Sequence, residues 1–274
     1  MSDTTADSIL IGAFVGLLSG THAAIWGMHK DAIHEGFDAR RFARSLILGT
    51  LSGAAVQLIL RLPLPAPGAL VLLFGLAYAV ERGIVELWKT FLRVEDQSKY
   101  TIPTQFSIRG VPVISRGARL AAGAAWVGGV AICLLAVATM KHGAPGVGAT
   151  IRAALAGLVA GGIIAVGGAW RDAPVEGFDS RKFLRSPLVA MLFAVPLAWF
   201  TESHLCVAAA ALGYERAAAE TYKTFFLVSK TCGKFDGKPL LFPEMLRRRR
   251  YFVPAYVAIW IAVVAVGGLA IAAR

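Results

Sequence analysis

The sequence is poor in charged residues and in cysteine, and each shortage excludes a class of protein. Only 16% of its 274 residues are charged, whereas a soluble domain carries about a quarter. The three cysteines, Cys133, Cys206 and Cys232, are scattered singly, which supports neither a disulfide framework nor a metal site. The phosphate-loop spacing GxxxxGK[ST] is missing, as are a zinc signature and a Ser-His-Asp set. We therefore assign no catalytic or metal-ligating residues and expect no cofactor.

Apolar residues, in contrast, are abundant and gathered into long blocks. They make up 57% of the chain, and the mean hydropathy is +0.63. Most blocks approach the ~20 residues that a helix needs to cross a bilayer, and none alternates as a barrel strand would. The sequence predicts an all-α, polytopic integral membrane protein with eight transmembrane helices. The blocks are residues 8–28, 43–60, 68–91, 118–140, 147–170, 187–200, 204–227 and 251–272.

The basic residues predict how the protein lies in the membrane. The net charge is +11, and most Lys and Arg residues fall near the loops that follow blocks 1, 3, 5 and 7. By the positive-inside rule that side is cytoplasmic, which places both termini outside the cytoplasm. We expect a bacterial inner (plasma) membrane protein whose basic loops bind anionic lipid headgroups. Such placement does not favour nucleic acid as a partner, whereas a homo-oligomer or a membrane-complex partner stays open.

The N-terminus bears on the count of helices. The segment MSDTTADS is acidic and lacks the basic region of a signal peptide. The first apolar block is therefore expected to belong to the folded protein.

Two motifs occur twice, which predicts an internal duplication. KDAIHEGFDARRFARS at 30–45 returns as RDAPVEGFDSRKFLRS at 171–186, and ERGIVELWKTF at 81–91 returns as ERAAAETYKTF at 215–225. The predicted repeats are residues 1–142 and 143–274, with four helices each. An even number of spans gives both copies the same orientation, related by a pseudo-two-fold axis along the membrane normal. Neither motif resembles a family that has a known function.

The second motif places charges inside apolar helices. Glu81, Arg82, Glu86 and Lys89 fall within an arc of about 140° on an α-helix, and we call them the first ladder. Their spacing predicts ion pairs between Arg82 and Glu86 and between Glu86 and Lys89. Glu81 would lie roughly 15 Å and Glu86 about 7 Å inside the membrane, with Lys89 reaching the surface. The second ladder repeats the set as Glu215, Arg216, Glu220 and Lys223.

The first motif predicts a structured turn, here called an elbow. Asp38 is a suitable N-cap, and Phe37 and Phe42 are placed to form a hydrophobic staple. Gly36 can adopt the positive φ that ends the incoming helix. The elbow residues considered for binding are Asp31, Glu35, Asp38 and Arg40 in the first copy and Asp172, Glu176, Asp179 and Arg181 in the second.

The elbows also contain acidic pairs that require a cation. Asp31 and Glu35 are four residues apart, as are Asp172 and Glu176, and like charges at this spacing repel each other. The expected cations are Lys30, Arg40 and their repeat equivalents, or a divalent metal. His29 and His34 could ligate a metal in the first copy, but the second copy has Trp170 and Val175 there.

Two features concern packing. Gly12, Gly16 and Gly20 form a stripe in the first apolar block, which lets helix backbones approach closely in lipid. Blocks 2 and 6 are short, which either points to a binding site or means that the helices begin earlier, at Ala39 and Ser180. We favour the earlier starts.

Three functions are compatible with this pattern. The first is a transport- or channel-like role for a small solute or ion, because intramembrane ionisable residues mark such paths. The second is a non-catalytic scaffold subunit that docks a cytoplasmic partner or anionic lipid, in which the ladders only lock the helices together. The third is an enzyme that modifies a membrane lipid at the cytoplasmic face, which is less favoured. A path predicts that water reaches Glu86 and Glu220, whereas a lock predicts dry and fully paired ladders.

Overall fold

The computed structural model describes residues 2–140, 147–226 and 233–274, and the described chain is almost entirely helical. The α-helices are α1 (Ser2–Glu35), α2 (Ala39–Leu60), α3 (Pro67–Leu87), α4 (Arg116–Ala138), α5 (Val147–Glu176), α6 (Ser180–Leu197), α7 (His204–Thr221), α8 (Met245–Arg248) and α9 (Val253–Ala272). The boundary predicted between residues 142 and 143 lies outside the described residues.

Six of these helices are long and apolar enough to cross a membrane, which indicates a multi-pass membrane protein. They are Thr5–Glu35, Ala39–Leu60, Arg116–Ala138, Gly148–Glu176, Pro67–Leu92 and Met245–Ala272, the last two extending through adjoining helical turns. The other two predicted spans are α6 and α7. Each has 18 residues and carries three charged side chains, which lowers its apolar character. The count of eight spans therefore stays a prediction.

The two elbows fold as the sequence predicts. The side chain of Asp38 accepts hydrogen bonds from the backbone N–H groups of Arg40 and Arg41. Asp179 does the same at the start of α6. The Phe37 and Phe42 rings pack with centroids 5.8 Å apart, and Gly36 has a φ of 76°. The helices therefore begin at Ala39 and Ser180, which confirms the expected earlier starts.

The glycine stripe in α1 packs against α2. A Cβ atom placed on Gly16 would lie 2.2 Å from the carbonyl oxygen of Gly49, and one on Gly53 would lie 2.1 Å from that of Gly12. Helix α5 meets α6 in a similar way, where a Cβ on Gly161 would lie 2.4 Å from the Ser186 carbonyl oxygen. These contacts leave no room for side chains, as in other close helix pairs in membranes.

Helices α3 and α7 meet at the centre of the bundle. A Cβ atom on Gly213 would lie 2.0 Å from the carbonyl oxygen of Gly75. Beside this crossing the Tyr214 hydroxyl donates a hydrogen bond of 2.8 Å to the carbonyl oxygen of Val71. Leu72 and Leu73 are fully buried in the core that surrounds the crossing. The α3–α7 contact brings the two ladders together, because each ladder follows the crossing on its own helix.

Two connecting segments cover one end of the bundle, which we call the basic face. The segment after α3 contains the antiparallel strands β1 (Ser107–Ile108) and β2 (Val111–Pro112). The segment before α8 hydrogen-bonds to it, since the N–H of Thr101 donates to the carbonyl oxygen of Lys234 at 2.7 Å. The same segment caps α1, where the N–H of Phe242 donates to the carbonyl oxygen of Ile33.

Candidate functional site

A large cavity lies at the basic face and collects the charged residues of both motifs. Its volume is about 960 Å³, and six of the long helices and both connecting segments contribute to its wall. The lining includes thirteen basic and nine acidic side chains. The basic ones are Lys30, Arg41, Arg44, Arg82, Lys89, Arg93, Arg171, Arg181, Lys182, Arg185, Arg216, Lys223 and Lys234; the acidic ones are Asp31, Glu35, Asp38, Glu86, Asp172, Glu176, Asp179, Glu220 and Asp236.

The first ladder is divided into two ion pairs. Arg82 binds both carboxylate oxygens of Glu81 and donates to the Ser45 hydroxyl at 3.3 Å. Lys89 pairs with Glu86 at 2.9 Å. The predicted ion pair between Arg82 and Glu86 is wrong, because the guanidinium turns to the neighbouring Glu81 instead. Glu86 remains 32% exposed and lines the cavity, whereas Glu81 is buried and does not.

The second ladder has one central acid. Glu220 lies 2.9 Å from Arg216 and 3.5 Å from Lys223, which confirms both predicted pairs. Lys30 of α1 approaches the same carboxylate at 3.9 Å. Glu220 is only 1% exposed although it lines the cavity. Three cations therefore share one buried carboxylate at this wall.

Glu215 differs from every other acid of the ladders. It is fully buried, and no ion pair joins it to a basic side chain in the described part of the chain. The Ser186 hydroxyl is near enough to interact with the carboxylate, but no hydrogen bond of normal geometry reaches either oxygen. Its repeat equivalent, Glu81, has a guanidinium as partner. The duplicated acid thus sits in two different environments.

Both ladders end in a π-helical turn at the KTF sequence. The turns are Trp88–Leu92 after α3 and Tyr222–Phe226 after α7. Wide turns of this kind are rare and are frequently found at functional sites. In the first copy the turn directs Phe91 away from the cavity, and its ring packs 5.6 Å from that of Phe106. The sequence pattern alone does not predict these turns.

The acids of the first elbow take their cations from distant segments. Lys234 lies 2.8 Å from Asp31 and 3.7 Å from Glu35. Glu35 also accepts hydrogen bonds from Arg41 and from the Tyr100 hydroxyl, the latter at 3.0 Å. The expectation that Lys30 and Arg40 neutralise this pair is wrong. Lys30 turns to the second ladder, and Arg40 is exposed outside the cavity.

The charged residues of the second elbow pair with one another within residues 171–182. Asp172 lies 2.7 Å from Arg171 and 2.9 Å from Lys182, and Lys182 also binds Glu176 at 2.6 Å. Arg171 is the repeat equivalent of Lys30, so the expected cation is found in this copy. Arg181 lines the cavity and has no ion pair with any described residue.

A cluster around Glu95 joins the first elbow to the segment after α3. Burial alone would raise the pKa of the Glu95 carboxyl. A hydrogen bond from Lys99 and the charge of Arg93 together lower the pKa by more than burial raises it, so the pKa is below its usual value. Burial and the adjacent Glu35 and Glu95 carboxylates raise the pKa of Tyr100. The Tyr100 hydroxyl therefore keeps its proton at physiological pH and shares this one hydrogen-bond donor between a Glu35 oxygen and a Glu95 oxygen, each 3.0 Å away.

The histidines of the first copy serve in packing. His34 stacks on Phe235 with ring centroids 4.4 Å apart, and its Nδ1 atom lies 3.0 Å from the carbonyl oxygen of Pro239. His29 packs against Phe225. Across residues 2–140, 147–226 and 233–274, no three His, Cys, Asp or Glu side chains lie close enough to hold a metal ion.

Several cavity residues were not singled out from the sequence. Lys234 and Asp236 come from the segment before α8, and Arg93 follows the first ladder. Arg44 and Arg185 occupy equivalent positions in the first motif, as the arginines of FARS and FLRS. The repetition of these two arginines was a usable signal, whereas the placement of the connecting segments depends on the tertiary fold.

Comparison with protein-family models, with curated proteins and with solved structures found no match for this chain. The function is therefore argued from the geometry of the cavity.

Proposed function

We propose that all eight long helices span a bacterial inner membrane as two parallel four-helix repeats, with the basic face in the cytoplasm. Helix α7 and its π turn together cover residues 204–226, which is long enough to cross most of the hydrocarbon core. Their charged side chains would be sheltered from lipid, because Glu215 and Glu220 are buried in the protein. The distribution of Lys and Arg supports the orientation, and exposed arginines at this face suit anionic headgroups.

We further propose a transport- or channel-like role in which a small charged solute enters the cavity from the cytoplasm. The observation that carries this proposal is that six of the eight ladder residues line one cavity of about 960 Å³. Concave sites of this size are typical of small-molecule binding. A scaffold that used the ladders only as a lock would keep them dry and fully paired. Glu86 is partly exposed, and no basic side chain among the described residues forms an ion pair with Glu215, so the lock explains the geometry less well.

The far end of the cavity is closed by the crossing of α3 and α7. Gly75 and Gly213 are in direct backbone contact there, and the buried side chains of Leu72, Leu73 and Tyr78 fill the space around it. A solute in the cavity is therefore separated from the opposite side of the membrane. Transport requires this crossing to open, and the cavity represents the inward-facing state of such a cycle.

The proposal can be tested by solid-supported membrane electrophysiology on proteoliposomes, with chloride, phosphate, lactate and lysine as probes. We expect a transient current with at least one probe in the wild type and a change of about tenfold or more in Glu220→Gln, because this acid holds three cations of the cavity wall. Glu244→Gln is the matched control, since Glu244 is exposed outside the cavity. Absence of current with every probe, or equal currents in wild type and Glu220→Gln, would contradict the proposal.

A further inference from the structure

Three cations of the cavity wall have no acidic partner among the described residues, and they indicate the chemistry of the solute. Ten of the thirteen basic side chains in the lining form ion pairs with carboxylates. Among the described residues, Arg44, Arg181 and Arg185 do not. Arg181 is exposed, so its charge is solvated by water. Arg44 and Arg185 are only half-exposed, and they are the two that need another explanation.

Arg44 and Arg185 are equivalent in the two repeats and are similarly unsatisfied. Each precedes a buried serine, Ser45 or Ser186, near the start of the second helix of its repeat. The Nε atom of each arginine is buried and makes no hydrogen bond. A buried donor without an acceptor costs about 1–3 kcal/mol, and more when it is charged. Both guanidinium groups therefore present hydrogen-bond donors that the protein itself leaves unused.

Neighbouring groups hold these arginines in place and add positive charge. The Arg44 guanidinium lies over the Trp88 ring, 5.2 Å from its centroid, a contact that orients the group. Arg82 and Arg93 are within electrostatic reach of Arg44, and Lys223 is within reach of Arg185. Glu81 is also within electrostatic reach of Arg44, but Arg82 binds both of its oxygens, and Glu220 is already shared by three cations.

We propose that the cavity binds a phosphoryl group, as a phosphate monoester, through Arg44 and Arg185. The thirteen basic side chains of the lining exceed its nine acids, which favours an anion of more than one negative charge. The guanidinium fork matches the oxygens of phosphate and donates two parallel hydrogen bonds. Phosphate has enough oxygens for donors that approach from different helices, whereas chloride gains nothing from the planar fork. The inference rests on the proposed function and names the solute class of the same cavity.

A phosphoryl group could reach this cavity in a soluble ester or in a lipid headgroup. The cavity opens at the basic face, where either source is accessible. Two probes separate them. Glycerol 3-phosphate represents the soluble class, and phosphatidic acid in nanodiscs represents the lipid class. Inorganic phosphate reports on the shared group alone.

The test is to measure the affinity of the purified full-length protein for the three probes, by calorimetry for the soluble ones and by native mass spectrometry for phosphatidic acid. We expect saturable binding in the wild type, a loss of about 10–100-fold in Arg44→Gln or Arg185→Gln, and a larger loss in the double variant. Arg44→Lys keeps the charge but removes the fork, so it should bind more weakly than wild type and better than Arg44→Gln. Arg40→Gln, an exposed arginine on the same turn, is the matched control and should not change the affinity.

Tighter binding of glycerol 3-phosphate than of phosphatidic acid would identify the soluble class, and the reverse order would identify the headgroup. Absence of saturable binding for all three probes, or equal affinities in wild type and the double variant, would overturn the inference. Arg44→Lys retains the charge and much of the length of the side chain, so it should fold even if a glutamine variant does not. Its affinity can then be compared with that of wild type in place of the glutamine variant. Currents carried only by chloride, lactate or lysine would leave the transport proposal standing and refute the phosphoryl site. Phosphate binding without any current would refute the transport proposal and leave the phosphoryl site standing.

Discussion

The two ladders have the same charged residues at the same spacing, yet their ion pairs differ. In the first ladder the arginine turns to the adjacent acid, so that Arg82 binds Glu81 and leaves Glu86 to Lys89. In the second ladder the arginine turns to the acid four residues later, so that Arg216 binds Glu220. Glu215 is then left without an ion pair to any basic side chain that the structure describes.

The difference shows that a repeated motif does not fix its own pairing. Surrounding helices contribute unequal partners: Ser45 and Trp26 contact Arg82, whereas Lys30 from α1 adds a third cation to Glu220. Buried charges are costly unless they are paired, so each copy adopts the arrangement that its neighbours permit.

Removing the arginine should damage the first ladder more than the second. Arg82→Gln leaves Glu81 as an uncompensated buried charge, which we expect to lower the free energy of unfolding by about 3–5 kcal/mol. Arg216→Gln should cost only about 1–2 kcal/mol, because Lys223 and Lys30 remain near Glu220. Unfolding in detergent, followed by circular dichroism against increasing sodium dodecyl sulfate, measures both. Equal losses would show that the pairing is the same in both copies.

A methyl group at the helix crossing should disturb the relative position of the ladders. Gly213→Ala places a Cβ atom 2.0 Å from the carbonyl oxygen of Gly75, so α3 and α7 must separate, at a cost of about 1–3 kcal/mol. Gly83→Ala is the control on α3, because no atom lies within 4 Å of the added carbon. The same unfolding assay should show a loss for Gly213→Ala and a neutral or stabilising effect for Gly83→Ala. A Gly213→Ala protein as stable as wild type would mean that the crossing is looser than described.

Neutralising the unpaired acid should be tolerated. Glu215→Gln removes a carboxylate that forms no ion pair within residues 2–140, 147–226 and 233–274 and replaces it with a neutral group of the same shape. Stability should therefore stay within about 1 kcal/mol of wild type or increase. The matched change, Glu81→Gln, removes the counter-charge of Arg82 and should be clearly destabilising. Thermal unfolding of the two variants side by side gives the comparison. A large loss in Glu215→Gln would indicate that a cation approaches this acid.

The smallest effect concerns pH and the cluster that joins the first elbow to Glu95. The folded-state pKa of Glu95 is lowered, below an unfolded value of about 4.3. Its stabilising contribution is therefore present above that value and is lost as the pH falls through the folded-state pKa. Solvent screening limits the contribution to about 1 kcal/mol or less. Melting temperatures of Glu95→Gln between about pH 5 and pH 3 should fall less steeply than those of wild type.

Glu202→Gln serves as the control for the pH series, because Glu202 is exposed and lies apart from the cluster. Its melting temperatures should follow those of wild type. Parallel curves for Glu95→Gln and wild type would rule out the assigned role of Glu95.

The sequence allowed much of the local structure to be predicted, because local structure depends on short-range chemistry. The caps at Asp38 and Asp179, the aromatic staple and the early starts of α2 and α6 follow from residues within one or two turns. The glycine stripe of α1 likewise predicted a close helix contact, since small residues are required wherever backbones touch in lipid.

The site was harder to predict because its partners are far apart in the chain. Lys234 lies about two hundred residues from Asp31, and no local spacing connects them. The choice of Arg82 between two acids depends on Ser45 and Trp26, which belong to other helices. Repetition pointed to the correct charged residues, but it also suggested a symmetry of pairing that the folded chain does not have.

The π turns at the ends of the ladders have a consequence for how the cavity can change shape. A π turn contains one residue more than an α turn, so the chain that leaves it points about 100° away from the direction that an α turn would give. Straightening one turn would rotate the adjacent ladder by that angle and move it by about 1.5 Å along its axis. The lysine and glutamate of that copy would then exchange places with apolar neighbours at the cavity wall. Each ladder can thus rotate about its own helix axis independently of the other, so the two ladders need not present the same residues to the cavity at the same time.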